Sequence, residues 1–298
     1  MATKVDKDDD HDAVSSSSVA SNDEDDASSE ESVAEELPPK KKTKTSDNSN
    51  NHNNYGPVAA APLHIAPAFT NQAVSTNKKN SHTPIIVILD QASLETVKNK
   101  RGVYELLNCD DHRDLCKKKL RKDPNLFRPD ILHQELLALL DSPLNKANLL
   151  QVYISTTKNV LIQVNPCIRM PRTYKRFAGL MVQLLHKLKI KATAQSDVLL
   201  KVVKNPVSQY LPAGTRAFGM SCQGTLYRPR ALAKKLLPET ASTLETTCFV
   251  IGAMSTGHVS MNDYPFIESM LSVSSYPLSG AAAIARLLSA IEDRWDVV

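Results

Sequence analysis

The sequence is poor in the features that build disulfide scaffolds, structural zinc sites and membrane spans. Its five cysteines are odd in number and scattered, and none forms a CxxC pair or another zinc-like spacing, which favours reduced thiols in an intracellular compartment. No apolar run reaches the ~18–20 residues that cross a bilayer, and the acidic first residues lack the apolar stretch of a secretory signal. We therefore expect neither a membrane protein nor a metal site.

Signatures of the common nucleotide and hydrolase sites are also missing. There is no GxGxxG after the first predicted strand, no GxxxxGK[ST] and no GxSxG, so a dinucleotide-binding Rossmann site, a P-loop and a nucleophile elbow lack support.

The charge is divided between two parts of the chain. Residues 1–80 carry 14 acidic and 8 basic side chains, a net of −6, whereas residues 81–298 carry 18 acidic and 28 basic ones, a net of +10. The first part has only two aromatic residues and is predicted to be a disordered tail. Its PPKKKTK segment is either a nuclear import signal or a solvated charge patch.

Hydrophobic patterning predicts an α/β fold from residue 84 onward, with a largely parallel sheet flanked by helices. Residues 85–89 form a β-branched run typical of a strand buried on both faces, and residues 90–98 fit a short helix or turn. A helix over 131–140 is expected to have Asp130 as its N-cap. Further elements are a hairpin over 149–155 and 159–165, helices over 177–188 and 284–295, and strands near 199–205, 217–221, 248–255 and 270–275.

Two glycine- and proline-containing loops near the C-terminus are candidates for a ligand site. Gly252 and Gly257 flank one strand end, and the segment SVSSYPLSG leads from the next strand into a helix. Open α/β sheets bind ligands beyond the carboxyl ends of their strands, although ordinary turns use the same residues.

Arginines form a second candidate site. Arg169, Arg172 and Arg176 are spaced i, i+3, i+7 around Pro171, and Arg172 and Arg176 are predicted on the solvent-facing side of their helix. Arg128 is a further arginine, on a loop. Such a cluster suits phosphate or base contacts on a nucleic acid, or is a solvated cationic face. Asp130, two residues after Arg128, would cap its helix, orient Arg128 or act as a base.

Several blocks closely resemble one family, the SPOUT-class pseudouridine-N1-specific methyltransferases of small-subunit ribosome biogenesis. The blocks are RPDILHQELLALLDSPLNKANLLQVYI, NVLIQVNP, IRMPRTYKRFAGLMVQLLHKL, LLKVVKNPVSQYLP and SYPLSGAAA, in order within residues 84–298. The resemblance implies a SPOUT-type fold with a C-terminal trefoil knot and a homodimer, in which the small residues 281–283 suit a close helix contact.

By the same resemblance, S-adenosyl-L-methionine binds in the knot, and the protein transfers its methyl group to N1 of a pseudouridine in 18S rRNA. The resemblance also implies a location in the nucleus, within the nucleolus. The implied cofactor contacts are Met220, Gly252, Gly257, Val273, Ser274, Ser275, Tyr276, Pro277 and Leu278. Arg128 and Asp130 are the implied catalytic residues, with Asp130 holding Arg128, and the implied RNA contacts are Arg128, Arg169, Arg172 and Arg176.

The sequence departs from the family pattern at three places. Ser275 replaces an asparagine in the SNYPLS loop, residues 261–269 are slightly longer than in some relatives, and residues 222–247 match only loosely. The competing function is that of an RNA-binding ribosome assembly factor whose methylation is dispensable. It would use the same basic face, and other small-subunit assembly factors are expected partners in either case.

Overall fold

A computed structural model describes residues 82–192, 197–237 and 245–298. The acidic tail and its lysine segment lie outside these residues. The strands are β1 (Ile85–Ala92), β2 (Thr96–Lys98), β3 (Tyr104–Leu106), β4 (Leu150–Thr156), β5 (Leu161–Val164), β6 (Lys189–Lys191), β7 (Val198–Val203), β8 (Arg216–Leu226), β9 (Thr247–Gly252) and β10 (Ile267–Ser272). The helices are α1 (Arg113–Leu115), α2 (Pro129–Leu140), α3 (Pro143–Lys146), α4 (Tyr174–Lys187), α5 (Pro229–Leu236) and α6 (Gly280–Trp295).

Eight strands form one sheet in the order β10-β8-β9-β1-β4-β5-β7-β6. The first five are parallel to their neighbours, and the last three pair antiparallel. The parallel part places the carboxyl ends of β8, β9 and β10 at one edge, where the two candidate ligand loops emerge. The predicted α/β class, the buried first strand and the β4–β5 hairpin are confirmed.

The two faces of the sheet have different coverings. Side chains of β1 alternate, so that Ile85, Val87 and Leu89 pack into the core that contains residues of α2, α4, α5 and α6. Ile86 and Ile88 face the other way, against residues of the segments 207–211 and 259–267. The predicted helical stripes of α2, α4 and α6 form the first core.

The prediction of a helix or turn over residues 90–98 was wrong. β1 continues to Ala92, and Thr96–Lys98 pairs antiparallel with Tyr104–Leu106. The Asn99 side chain closes this hairpin by accepting hydrogen bonds from the backbone N–H groups of Arg101 and Val103, at 2.9 and 3.0 Å. β-Branched Thr96 and Val97 favour the extended backbone on one side of that turn.

Candidate cofactor and RNA site

A cavity of about 220 Å³ lies at the carboxyl ends of β8, β9 and β10. The loop after β9 and the loop between β10 and α6 form its walls. Its lining comprises Met220, Ser221, Cys222, Ile251, Gly252, Met254, Gly257, His258, Val259, Leu271, Ser272, Val273, Ser274, Tyr276, Pro277, Leu278, Gly280 and Ala283.

The structure brings eight of the nine residues predicted to contact the cofactor to this one cavity. Ser275 is the exception, because it is exposed and absent from the lining. Sequence reasoning missed Met254, His258, Gly280 and the other additional residues of the lining. Their positions depend on how β8, β9 and β10 pair, which motif spacing does not encode.

Two glycines open the cavity on the β9 side. A Cβ at Gly252 would lie 2.7 Å from Met254 Cε, and Gly257 adopts φ +105°, a backbone conformation that side chains disfavour. Across the cavity, the Ser274 hydroxyl accepts a hydrogen bond from the Tyr276 backbone N–H at 3.0 Å. The lining therefore offers apolar surface, backbone and hydroxyl groups, which suits a flat, largely uncharged ligand portion.

Arg128 and Asp130 form a two-point ion pair at the start of α2. Arg128 Nε and Nη2 donate to the two carboxylate oxygens of Asp130 at 2.8 and 2.6 Å. Partial burial by itself raises the pKa of Asp130, but the Arg128 guanidinium outweighs it and holds that pKa below its ordinary value. A carboxylate held in its charged form is a weak proton acceptor, which favours the orienting role.

The expectation that Asp130 caps α2 was wrong. Arg128 occupies the N-cap position, Pro129 begins the helix, and no side chain provides a cap hydrogen bond there. Proline suits the first helical position because its missing N–H would have no helical partner there. Asp130 is the second residue of the helix, and its carboxylate binds Arg128.

A hydrogen bond joins the cavity to the segment that carries Arg128. The Ser255 hydroxyl, next to the cavity residue Met254, donates to the backbone oxygen of Asn125. Asn125 lies in a short helical turn, Pro124–Leu126, that ends two residues before Arg128. One hydrogen bond therefore ties the loop after β9 to the segment that precedes Arg128.

The three remaining arginines lie on the surface before and within the first turn of α4. Arg169, Arg172 and Arg176 are all exposed. Arg172 and Arg176 face solvent, as predicted, but Arg172 precedes α4, whose N-cap is Thr173, and so is not part of that helix. Arg172 Nη2 instead pairs with Asp141 Oδ2 at 3.1 Å.

His133 holds this arginine segment against α2. Its Nε2 lies 2.7 Å from the backbone oxygen of Pro171, and its ring stacks on Phe177 at 4.5 Å. Burial, and then the nearby Asp130 carboxylate, raise the pKa of Tyr174 to about 12. The beginnings of α2 and α4, with Arg128 and Arg176, are thus neighbours.

A buried carboxyl group near the cavity had no sequence signal. Asp90 lies opposite Gly252 in the β1–β9 pairing and accepts a hydrogen bond from the Tyr264 hydroxyl. Burial raises the pKa of Asp90. Asp90, Ser155 and Tyr264 line a second cleft, of about 610 Å³.

No described helix is long and apolar enough to cross a membrane. Within the same residues, no group of three or more His, Cys, Asp or Glu side chains is arranged to hold a metal ion. All five cysteines, which fall in the described ranges, are free thiols.

Comparison with known proteins identifies the family. The profile of the family described as EMG1/NEP1 methyltransferase matches residues 87–292. The chain is 50% identical over 214 residues to the ribosomal RNA small subunit methyltransferase NEP1 of Homo sapiens, covering 72% of this chain and 83% of the human one. It is 45% identical over 225 residues to NEP1 of Candida glabrata, covering 75% and 94%.

A solved structure shows the same fold. The crystal structure of Archaeoglobus fulgidus Nep1 bound to S-adenosylhomocysteine superposes with a TM-score of 0.58 at 24% identity, covering 71% of this chain and 99% of that one. With a family match over the greater part of the folded region and relatives at 45–50% identity, the chain belongs to the EMG1/NEP1 methyltransferase family.

Proposed function

We propose that this protein transfers a methyl group from S-adenosyl-L-methionine to N1 of a pseudouridine in small-subunit rRNA. The observation that carries the proposal is a glycine-opened cavity whose loop after β9 is hydrogen-bonded, through Ser255, to the segment that precedes Arg128. Family membership and the names of the relatives support an rRNA substrate. The resemblance of the sequence blocks supports the more specific parts of the proposal, which are the target RNA (18S rRNA), the target base (pseudouridine) and the methylated atom (N1).

The cavity residues fit S-adenosylmethionine. Gly252 and Gly257 allow backbone to approach a ligand closely, and the apolar lining suits an adenine ring. The archaeal relative of the same fold binds the demethylated product of that cofactor. When bound, the cofactor supplies an electrophilic methyl group, so no metal is needed for the transfer. At about 220 Å³ the cavity is small for a whole cofactor, and we expect part of the ligand to extend beyond it.

In this proposal, Arg128 and Asp130 act on the base that accepts the methyl group. In the transfer, N1 of the pseudouridine forms a bond to the methyl carbon as the S–CH3 bond of the donor breaks, which leaves S-adenosylhomocysteine. The N1–H bond also breaks, and its proton is released to water. Negative charge develops on the base as the proton leaves, and the Arg128 guanidinium stabilises it from a fixed position. Asp130 holds the guanidinium through both of its hydrogen bonds, so that little reorganisation is needed during the reaction.

The exposed arginines would bind the RNA strand that brings the base to the site. Arg169 and Arg176 face solvent and suit phosphate or base contacts, whereas Arg172 must first leave its ion pair with Asp141. The target nucleotide is expected to be flipped out of its stack to reach the pocket. A homodimer, a C-terminal trefoil knot, partner assembly factors and a nucleolar location remain part of the proposal on the strength of the family resemblance.

The test combines calorimetry with methyl transfer to defined RNAs. We expect purified full-length protein to bind S-adenosylmethionine and to methylate an rRNA hairpin that contains pseudouridine. The same hairpin with uridine should not react, since uridine has no N–H at that ring position. A hairpin with N1-methylpseudouridine should also be inert. Methylation of that blocked hairpin would contradict N1 as the target atom.

The exposed arginine surface supports a second candidate function, that of an RNA-binding assembly factor. Arg169 and Arg176 serve that role whether or not a methyl group is transferred. Tight binding of the hairpin without any calorimetric signal from S-adenosylmethionine would favour the assembly factor and overturn the enzyme.

A further inference from the structure

Glu135 is a fully buried carboxyl group in the middle of α2. Its residue is 0% exposed, and neither carboxyl oxygen has a hydrogen-bond partner within the described residues. Burial raises its pKa to about 8. A polar group without a partner is costly to bury, and an ionised one far more so. A carboxyl at this position therefore needs an explanation that helix packing alone does not provide, because leucine or methionine would pack there without that cost.

The space occupied by Glu135 is the space that a side chain at position 280 would need. A Cβ built on Gly280 would lie 1.9 Å from Glu135 Oε1 and 2.9 Å from its Cδ. Real Cβ atoms do not approach other atoms that closely. Glu135 and Gly280 are thus complementary in shape, and any larger residue at 280 must displace the carboxyl group.

Gly280 connects this contact to the proposed cofactor cavity. It is the first residue of α6 and lines the cavity, as does Ala283 one turn later. The residue before it, Ser279, caps the helix by accepting a hydrogen bond from the Ala282 backbone N–H. The SYPLS loop ends at Ser279, so the place where α6 begins also determines where that loop lies.

The first turn of α6 gives an ionised Glu135 a different favoured position from a neutral one. The first N–H groups of a helix have no partner within the helix and carry a partial positive charge. A neutral carboxyl group can remain packed against Gly280. An ionised one is drawn toward those N–H groups or toward water, and either movement disturbs the α2–α6 contact.

We infer that Glu135 is a positioning residue for the cofactor loop, because its side chain fills the space left open by Gly280 and thereby sets where α6 begins. This inference rests on the proposed function, since it assigns the cavity to S-adenosylmethionine. Glu135 lies five residues after Asp130 on α2. The same helix thus supports the arginine that handles the acceptor base and the loop that holds the methyl donor.

Burial alone accounts for the raised pKa of Glu135, so neighbouring charges do not control it. On α2 itself, Asp130 is bound to Arg128, and His133 is turned to Pro171. Tyr174 of α4 stays neutral in this pH range, because burial raises its pKa to about 12. The other charged and titratable groups on elements packed against α2 have other contacts or face solvent: Asp90 of β1, Lys146 of α3, Lys175, Arg176, His186 and Lys187 of α4, and Arg286, Glu292, Asp293 and Arg294 of α6.

The first test is compensation between the two positions. Gly280→Ala should weaken binding of S-adenosylhomocysteine at least tenfold by calorimetry and lower the melting temperature of the ligand-free protein. Glu135→Ala in the same chain removes the colliding carboxyl group, so the double variant should recover most of both losses. Gly179→Ala is the matched control, because it makes the same change in a helix with nothing within 4 Å of the added atom. Losses that simply add in the double variant would overturn the inference.

The second test uses pH, which a space-filling role alone would not affect. A cofactor seated against Gly280 and Ala283 would hold the first turn of α6 in place against the neutral carboxyl group, so binding should favour the protonated form of Glu135. Affinity of the wild-type protein for S-adenosylhomocysteine should therefore fall above pH 8, by up to tenfold per pH unit. Glu135→Gln keeps the shape without the charge and should bind equally well from pH 7 to 9.5. Parallel profiles for the two proteins would contradict the role of the carboxyl group.

The two readouts separate this inference from the proposed function. If the wild-type protein binds no S-adenosylhomocysteine at any pH, the cofactor assignment fails. The melting temperatures of the single and double variants then still decide whether Glu135 and Gly280 share one space.

Discussion

Asp130 accepts two hydrogen bonds from Arg128, at 2.8 and 2.6 Å, across the first turn of α2. Charge-assisted pairs with this two-point geometry fix the direction of the guanidinium as well as its charge. Because Arg128 is itself the N-cap residue, the backbone and the ion pair together determine where its cation lies.

Asp130→Asn should lower the rate of methyl transfer more than it lowers cofactor affinity. Asparagine retains one acceptor oxygen but loses the charge, so the guanidinium is held less firmly. We expect kcat to fall up to about 100-fold, the cost of a misplacement of roughly 1 Å, with the Kd for S-adenosylhomocysteine unchanged. Single-turnover kinetics and calorimetry provide the two measurements.

Arg230→Ala is the matched control for that experiment, because it breaks an arginine–carboxylate pair, with Asp293, on the exposed surface of α5. It should leave kcat unchanged. An Asp130→Asn protein with wild-type turnover would show that the ion pair does not position Arg128 for the reaction.

Arg176→Ala should weaken RNA binding without changing which base is methylated. Arg176 is exposed in the first turn of α4 and has no ion pair among the described contacts. If it neutralises one phosphate, its loss reduces the slope of log K against log salt by about 0.7, the value for one contact to a single strand. Titrations of the rRNA hairpin at four salt concentrations measure the slope.

Arg172→Ala should have the smaller effect of the two arginine variants. Its guanidinium already pairs with Asp141, so RNA must replace an existing interaction to recruit it. A slope that changes more for Arg172→Ala than for Arg176→Ala would reverse this order and place the phosphate at Arg172.

Gly257→Ala should weaken cofactor binding through backbone strain at the cavity. Gly257 has φ +105°, and an added Cβ would lie 3.1 Å from Met254 Sδ. Positive φ costs a non-glycine residue about 1–2 kcal/mol, so we expect a loss of stability of that order together with at least fivefold weaker binding of S-adenosylhomocysteine.

Gly214→Ala separates the two effects of that substitution. Gly214 also has positive φ, +79°, but nothing lies within 4 Å of an added Cβ, and it does not line the cavity. It should lose stability and keep its affinity for the ligand. If both variants lost the same affinity for S-adenosylhomocysteine, the backbone strain would be weakening binding by destabilising the whole domain and not by changing the cavity.

Local patterns predicted the regular elements well, because their causes are local. The 3.6-residue period of Phe177, Met181 and Leu184 corresponds to the buried face of α4, and the β-branched run at Ile85 corresponds to a strand buried on both faces. The β2–β3 hairpin was missed because it depends on the Asn99 side chain closing a turn, a contact that composition does not reveal.

Residues of the candidate site could be predicted only where they belong to a recognisable sequence motif. The resemblance found the SYPLS loop and the arginines, but Ser275 is exposed and does not line the cavity, since spacing does not determine which residues of a loop do so. From the sequence alone, Glu135 would be predicted to lie on the polar face of an amphipathic helix. Its burial depends on α6 packing against α2, 145 residues further along the chain, and on the absence of a side chain at Gly280.

Glu135 should also make the stability of the whole domain depend on pH. In the folded protein its pKa is about 8, whereas the ordinary value is 4.5. The folded state therefore binds the proton more tightly than the unfolded state, and the resulting stabilisation is complete below pH 4.5 and is lost as the pH rises to 8. Each pH unit in that window corresponds to about 1.4 kcal/mol, so the free energy of unfolding should fall by roughly 3 kcal/mol between pH 4.5 and 7 from this group alone.

Urea unfolding of Glu135→Gln and the wild-type protein at pH 5, 6, 7 and 8 measures this contribution. The glutamine side chain does not titrate, so its advantage over the wild type should grow steadily from pH 5 to 8. Glu268→Gln is the control, because that carboxyl group lies at the surface in an ion pair with Arg216, and the variant retains Glu135. A constant difference between Glu135→Gln and the wild type at all four pH values would mean that folding does not change the pKa of Glu135, and would contradict a carboxyl group that is neutral in the folded protein.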